Sequence, residues 1–221
     1  MNKTLEILDH SQPLKDKKIV ITAGGTIEKL DPVRYISNFS SGKMGTALAD
    51  NAYMMGADVE LISTFDIERP YKVTKVLSAL DMLDAVLKSK ENSDCVIMSA
   101  AVADYRAENY AEQKIKKTSD DKMTVNLIKN PDILKTISEN KGDTKIVGVC
   151  AESENLLKNA KIKIKNKGCD YLVANDISRK DIGFSSDENE VYILSENKTK
   201  HLKKASKNKI AKQILEYVFC E

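Results

Sequence analysis

Short, continuous apolar runs recur along the chain, each bounded by polar residues or glycine. Lys18–Ala23 (KIVITA), Asp58–Ser63 (DVELIS), Asp94–Ala100 (DCVIMSA), Lys145–Val149 (KIVGV) and Asp170–Ala174 (DYLVA) share this character. Such runs suit strands buried on both faces of a parallel sheet. The stretches between them repeat with helical spacing. Lys43–Met55 follows Ser40-Ser41-Gly42 and meets a stop signal at Gly56. Ser78–Lys90 sets Leu80, Leu83, Val86 and Leu87 on one face, with Ser78 as N-cap. Asn130-Pro131 supplies an N-cap and a first-turn proline for a helix over Asp132–Glu139. Glu154–Lys167 and Ser206–Phe219 complete the helices. Strands alternating with helices predict an α/β fold, a doubly wound and mostly parallel sheet.

Two segments break the alternation. Ala103–Lys129 carries a charged stretch and then an alternating MTVNLIK, which reads as an extended arm or hairpin around residues 105–129. Glu188–Lys204 reads as a hairpin turning at Glu196-Asn197. No internal repeat or low-complexity linker interrupts the chain. Residues 17–221 are therefore read as one domain, and residues 1–16 as a tail or linker remnant.

Composition narrows the chemistry. The 221 residues are 42% apolar, enough for a full core. Charge is abundant yet balanced, 35 Lys and Arg against 33 Asp and Glu, and 31 of the cations are lysines. Near-neutrality argues against a protein that coats nucleic acid. Only His10 and His201 are present, both away from the motif-bearing stretches, so a histidine triad or His-rich zinc site is not expected. Cys95, Cys150, Cys169 and Cys220 show no C-x-x-C spacing and read as unpaired thiols. No run approaches the ~18 apolar residues of a membrane span, and the chain reads as soluble and cytoplasmic.

Several constellations can carry chemistry. Gly24, Gly25 and Thr26 follow the first strand, where a doubly wound sheet presents its phosphate-binding turn. The turn has neither the G-x-G-x-x-G fingerprint nor a P-loop. Asp31–Gly45 is a long polar loop that ends in Ser40, Ser41 and Gly42 before a helix, an arrangement that favours an anion, with Arg34 and Lys43 adding charge. Within it, the Asn38 amide can stabilise an oxyanion without titrating. Ser99–Tyr105 is rich in small residues that admit a ligand to the backbone, and Asp104 can orient a ribose or hold Mg²⁺ with phosphates. Lys114, Lys116 and Lys117 can neutralise a triphosphate or simply be solvated. Lys163 and Lys167 share a helix face, whereas Lys161 and Lys165 read as solvent-facing.

Taken in order, ITAGGT, DPVRYISNFSSGKMG, AAVADYR, EQKIKK, KNPDIL, CAESEN and VANDIS closely resemble the bacterial phosphopantothenoylcysteine synthetases, across residues ~17 to 195. That family is often the C-terminal half of a bifunctional coenzyme A biosynthesis protein, fused to a flavin-dependent decarboxylase. The resemblance implies a Rossmann-like fold and a CTP-dependent ligase. In such a ligase 4′-phosphopantothenate is activated as an acyl-cytidylate, and L-cysteine displaces CMP. It implies Mg²⁺ on the phosphates, with metal-holding groups unassigned, a homodimer, and a decarboxylase that is fused or separate. It also implies that Asn38 handles the intermediate and Lys114 helps form it. Met98, Ser99, Ala100, Asp104, Asn130, Pro131, Asp132, Ile133, Val149, Lys163 and Lys167 would line the nucleotide site. Val149 departs from the phenylalanine that the family often carries before its AAE triplet, which leaves CTP against ATP open. Lys114, Lys163 and Lys167 are assigned to the triphosphate with Lys43, Lys116 and Lys117 as helpers, and the other 25 lysines to the surface. The competing readings are an NAD(P)-dependent oxidoreductase on the same fold and a non-catalytic nucleotide- or nucleic-acid-binding module.

Overall fold

The computed structural model describes residues 12–116, 122–178 and 186–220. His10, Lys117 and Arg179 lie outside the described residues. Six parallel strands form the centre of one sheet: β1 (Lys18–Ala23), β4 (Asp58–Ser63), β5 (Lys72–Lys75), β6 (Cys95–Met98), β9 (Lys145–Glu152) and β10 (Tyr171–Asp176). Two antiparallel strands, β11 (Glu188–Leu194) and β12 (Thr199–Ser206), extend it beyond β10. The spatial order is β12-β11-β10-β9-β6-β1-β4-β5. Counted along the chain, the six parallel strands lie third, second, first, fourth, fifth, sixth, so the winding reverses between β1 and β6. This is the Rossmann-like doubly wound sheet that the apolar runs predict.

Both sheet faces are covered, which is why the central strands read as continuous apolar runs rather than alternating ones. On one face, α1 (Lys43–Met54) and α5 (Lys207–Cys220) pack over Ile19, Ile21 and Val59. On the other, α2 (Ala79–Lys90), α3 (Ile133–Glu139) and α4 (Leu156–Lys167) cover Val20, Ile62 and Val96. The capping signals act largely as expected, but the buried face of α2 is Ala79, Met82 and Val86, while Leu80 and Leu87, expected on that face, are exposed. Ser78 Oγ accepts from the Asp81 N–H at 3.1 Å, and the Asp81 carboxylate accepts from the Ser78 N–H at 2.9 Å, a reciprocal capping box. Gly56 (φ 95°) and Gly168 (φ 69°) end α1 and α4 in the left-handed conformation that costs glycine least.

Three other expectations need correction. Residues 12–16 join the domain: Leu14 is fully buried in the core beneath α1, and its N–H donates to the Met55 carbonyl at 3.0 Å. The N-cap of α3 is Asp132 rather than Asn130, and it accepts from the Lys135 N–H at 3.1 Å. Asn130 is occupied elsewhere: it donates to the Ala103 carbonyl at 2.8 Å and accepts from Arg106 at 3.1 Å. The loop before α1 is also less irregular than its composition suggests, since β2 (Ile27–Lys29) and β3 (Tyr35–Ser37) pair antiparallel within it. The expected arm contains β7 (Tyr105–Ala107) paired with β8 (Leu127–Lys129). The second hairpin turns between Leu194 and Thr199, with Ser195 N–H bonded to the Lys198 carbonyl at 2.9 Å.

Candidate functional site

A cleft opens where the winding reverses, outside the carboxyl ends of β1, β6, β9 and β10. Ser40–Gly45, Ser99–Ala101 and Val149–Ala151 line it, with Asn175, Asn189 and Lys207 on the far wall. Strand direction explains the company. Because β11 runs antiparallel to β10, its first residues, and the first residue of α5, return to the edge at which the parallel strands end.

The floor is held by backbone stitching between the β1 and β6 exits. Thr22 is buried, and its hydroxyl oxygen accepts from the N–H groups of Ser99 (3.1 Å) and Ala100 (3.0 Å). Thr26 is equally buried and accepts from Ala103 N–H at 2.9 Å, so its hydroxyl serves the loop. The glycines are required by close approach. A Cβ on Gly25 would lie 2.7 Å from the Asn38 carbonyl oxygen, and one on Gly45 would lie 2.7 Å from both Ala23 Cβ and the Thr22 carbonyl oxygen. Helix α1 thereby starts directly against β1. Its N-cap, Gly42, supplies no side-chain cap, so the first-turn N–H groups face the cleft at the positive end of the helix dipole.

Asn38 lies across the β6 exit, its amide donating to the carbonyls of Val102 (3.1 Å) and Ala101 (3.4 Å). Ser99 and Ala100 line the cleft, while Met98 turns its side chain into the core and accepts from the Thr22 hydroxyl at 3.9 Å. Ile133 is likewise buried in the core beneath α3. Val149 lines the cleft as an aliphatic side chain. Lys163 and Lys167 do share one face of α4, and both already hold carboxylates: Lys163 pairs with Glu152 at 2.5 Å, and Lys167 pairs with Asp132. Burial works to lower the Lys163 pKa, but Glu152, with help from Cys150 and Asp104, raises it on balance. The Cys150 thiol is pushed up to about 11 by burial.

Lys114 is exposed and is not among the residues lining this cleft. Its segment is fixed from below by Asp31, which is 1% exposed. The Asp31 carboxylate accepts from the N–H groups of Val33 (2.8 Å), Arg34 (2.7 Å) and Ile115 (3.1 Å) and from the Arg34 guanidinium at 2.6 and 3.0 Å. Arg34 also donates to the Ile115 carbonyl at 2.7 Å. Burial favours the protonated acid, yet the donors from Val33, Ile115 and Arg34 outweigh it and hold the carboxyl well below the usual carboxylate range. Arg34, expected to face an anion, is thus the clamp on the lysine-bearing arm. Lys43 pairs with Asp187 at 2.6 Å. The sequence reading missed Asn175, Asn189 and Lys207; only Asn175, inside VANDIS, lay within a motif.

Among the described residues no group of three or more His, Cys, Asp or Glu side chains could hold a metal ion, and no helix is long and apolar enough to cross a membrane. The four cysteines are free thiols, Cys95 and Cys169 buried, Cys150 half-buried and Cys220 exposed.

Comparisons with known proteins agree with this architecture. Residues 14–220 match the family described as DNA/pantothenate metabolism flavoprotein C-terminal domain. The chain is 44% identical over 214 residues to the coenzyme A biosynthesis bifunctional protein CoaBC of Vibrio vulnificus, covering 94% of this chain and 53% of that protein. It therefore spans about half the length of the curated relatives it matches. A crystal structure of the C-terminal domain of CoaBC superposes with a TM-score of 0.80 at 36% identity, covering 95% of this chain and 97% of that one. A Cab2 variant in complex with phosphopantothenate-cysteine shares the fold, with a TM-score of 0.77 at 18% identity, covering 92% of this chain and 85% of that one. By these matches, the chain belongs to the DNA/pantothenate metabolism flavoprotein C-terminal domain family.

Proposed function

We propose that this chain is a phosphopantothenate–cysteine ligase of coenzyme A biosynthesis, driven by CTP. The observation that carries the reading is the cleft at the winding reversal, built from the uncapped start of α1, the small-residue exit of β6 and the exit of β9; the glycine turn after β1, expected to bind phosphate, is not among its lining residues. That geometry suits a nucleoside triphosphate. The names of its relatives, coenzyme A biosynthesis for CoaBC and a phosphopantothenate-cysteine complex for Cab2, supply the acid and the amine.

In the first step a carboxylate oxygen of 4′-phosphopantothenate attacks the α-phosphorus of CTP. The bond to the bridging oxygen of the β-phosphate breaks, pyrophosphate leaves and the acyl-cytidylate remains. In the second step the cysteine amine attacks the acyl carbon, CMP leaves and the amine gives up a proton. The chain's own task is positioning and charge neutralisation. Lys114 neutralises the triphosphate during activation. Asn38, held across the β6 exit, steadies the acyl-cytidylate. Lys163 and Lys167 exchange their carboxylate partners for phosphate oxygens, while Asn130, Pro131 and Asp132 shape the wall beside them. Mg²⁺ fits as an ion carried mainly by phosphate oxygens, with Asp104 the exposed carboxylate of the β6 exit; when bound, it supplies charge neutralisation on the leaving pyrophosphate.

We further propose a homodimer in the cytoplasm, with the Lys114 arm reaching the neighbouring subunit's cleft and a fused or separate decarboxylase consuming the product. The support is an exposed apolar surface on the two short hairpins: Val33, Tyr35, Phe39, Tyr105, Leu127 and Ile128 are 36–94% exposed. The oxidoreductase reading is not favoured, since the turn after β1 reads TAGGT without the dinucleotide fingerprint.

The test is pyrophosphate release with CTP, 4′-phosphopantothenate and cysteine, run in parallel with ATP. Release that requires the acid supports the ligase; none with either nucleotide overturns it. Asn38→Asp is expected to stall the second step, so that activated acid accumulates on the enzyme in a quench assay.

A further inference from the structure

Lys163 and Lys167 each hold a carboxylate, and the two carboxylates are not equivalent. Asp132, the partner of Lys167, also caps α3, so it has a local duty besides the pair. Glu152 ends β9, directly after the cleft-lining Ala151, and its side chain is 11% exposed. Its Oε1 lies 2.5 Å from the Lys163 ammonium, as a charge pair rather than an aligned hydrogen bond. Its Oε2 accepts from the Asn159 amide at 3.2 Å. Asn159 stands one turn before Lys163 on α4 and also donates to the Glu154 carbonyl at 2.9 Å. The carboxylate is therefore fixed by its strand and by a neutral amide, both independent of Lys163. The lysine, 42% exposed on a long flexible stem, is the mobile member of the pair. A phosphate that takes this ammonium takes it from a nearly buried carboxylate that cannot follow. Such a pair costs more to break than one in open solvent.

We propose that Glu152 is a positioning residue that acts through Lys163: it competes with polyphosphate for the ammonium and takes it back as pyrophosphate leaves. This rests on the reading that Lys163 meets the triphosphate. It adds to that reading a fixed carboxylate that weakens the site's hold on its own leaving group.

Pyrophosphate, CTP and CMP are titrated singly, with Mg²⁺ present, into wild type, Glu152→Gln, Lys163→Gln and the double variant by calorimetry. Glu152→Gln is expected to tighten pyrophosphate and CTP about fivefold and CMP less than about twofold. In the Lys163→Gln background the same substitution is expected to change pyrophosphate binding by less than about twofold. A residue that only supports the fold would weaken binding or leave it alone, so unchanged or weaker pyrophosphate binding in Glu152→Gln overturns the proposal. Tightening that persists in full in the Lys163→Gln background also overturns it, because the carboxylate would then act by repelling the anion directly. Should Glu152→Gln fail to fold, wild type gives the answer by NMR. The nuclear Overhauser contact between the Lys163 ε-protons and the Glu152 γ-protons is expected to vanish on saturation with pyrophosphate; a contact that survives overturns the proposal. Lys163→Gln that binds pyrophosphate as tightly as wild type strikes the placing of Lys163 at the phosphates, and this inference with it. Weaker binding by Lys163→Gln beside an indifferent Glu152→Gln strikes this inference alone.

Discussion

Asp31 shows how one buried side chain can fix a segment distant in sequence. It gathers N–H donors from its own turn and from Ile115, 84 residues away, and so fixes the residue beside Lys114. Asp31→Asn keeps the size but loses the ionised acceptor, leaving the Arg34 guanidinium without its fork. The expected result is faster hydrogen exchange at the Ile115 amide and a fall in kcat with CTP affinity nearly unchanged. Exchange at the wild-type rate would remove the clamp from the account. The sign of the pH effect follows from the depressed folded-state pKa. The clamp's contribution is full above the unfolded aspartate value of about 4 and is lost as pH falls toward the folded one. Hydrogen exchange at Ile115 should therefore quicken, relative to the intrinsic rate, below that pH. Among the lysines, Lys114→Gln is expected to abolish pyrophosphate release, whereas Lys161→Gln, on the exposed face of α4, should leave it within about twofold.

At the scale of elements, the start of α1 and the start of α2 separate function from stability. Helix α1 begins against β1 with no room at Gly45 and no side-chain cap. Gly45→Ala must push the helix off the strand, at about 1–3 kcal/mol for an overpacked contact. The same shift misaligns the cleft-facing N–H groups, so thermal stability and, on the proposed function, CTP affinity should fall together. Helix α2 is secured by its Ser78–Asp81 box and by Glu28, whose carboxylate accepts from the Ala79 N–H at 2.9 Å. Ser78→Ala should cost about 1 kcal/mol in chemical denaturation and leave turnover unchanged, since this cap does not line the cleft. The helix signals were legible because caps and apolar spacing are local. The N-cap of α3 was misread for the opposite reason: Asn130 is drawn away by Ala103 and Arg106, partners distant in sequence.

For the whole molecule, the two short hairpins offer an apolar surface that a solitary chain would leave in water. Leu127→Glu combined with Ile128→Glu is expected to yield a monomer in sedimentation equilibrium. On the proposed shared site it should retain CTP binding yet lose turnover, because the Lys114 arm would no longer meet a neighbouring cleft. A variant that stays dimeric or remains fully active would count against the shared site.

The sequence by itself determined the strands and helices of the doubly wound fold, the family resemblance, and the motifs that gather near the cleft. All of these depend on contiguous patterns of burial, capping and small residues. Only the tertiary structure decided what each charge does. Arg34 became a clamp, Lys163 and Lys167 were found holding carboxylates, and Lys207, counted among the surface lysines, became part of the cleft wall. The physical reason is that a charge takes its role from the partners brought within a few ångströms. Those partners are set by strand order and direction, which no local stretch of sequence contains.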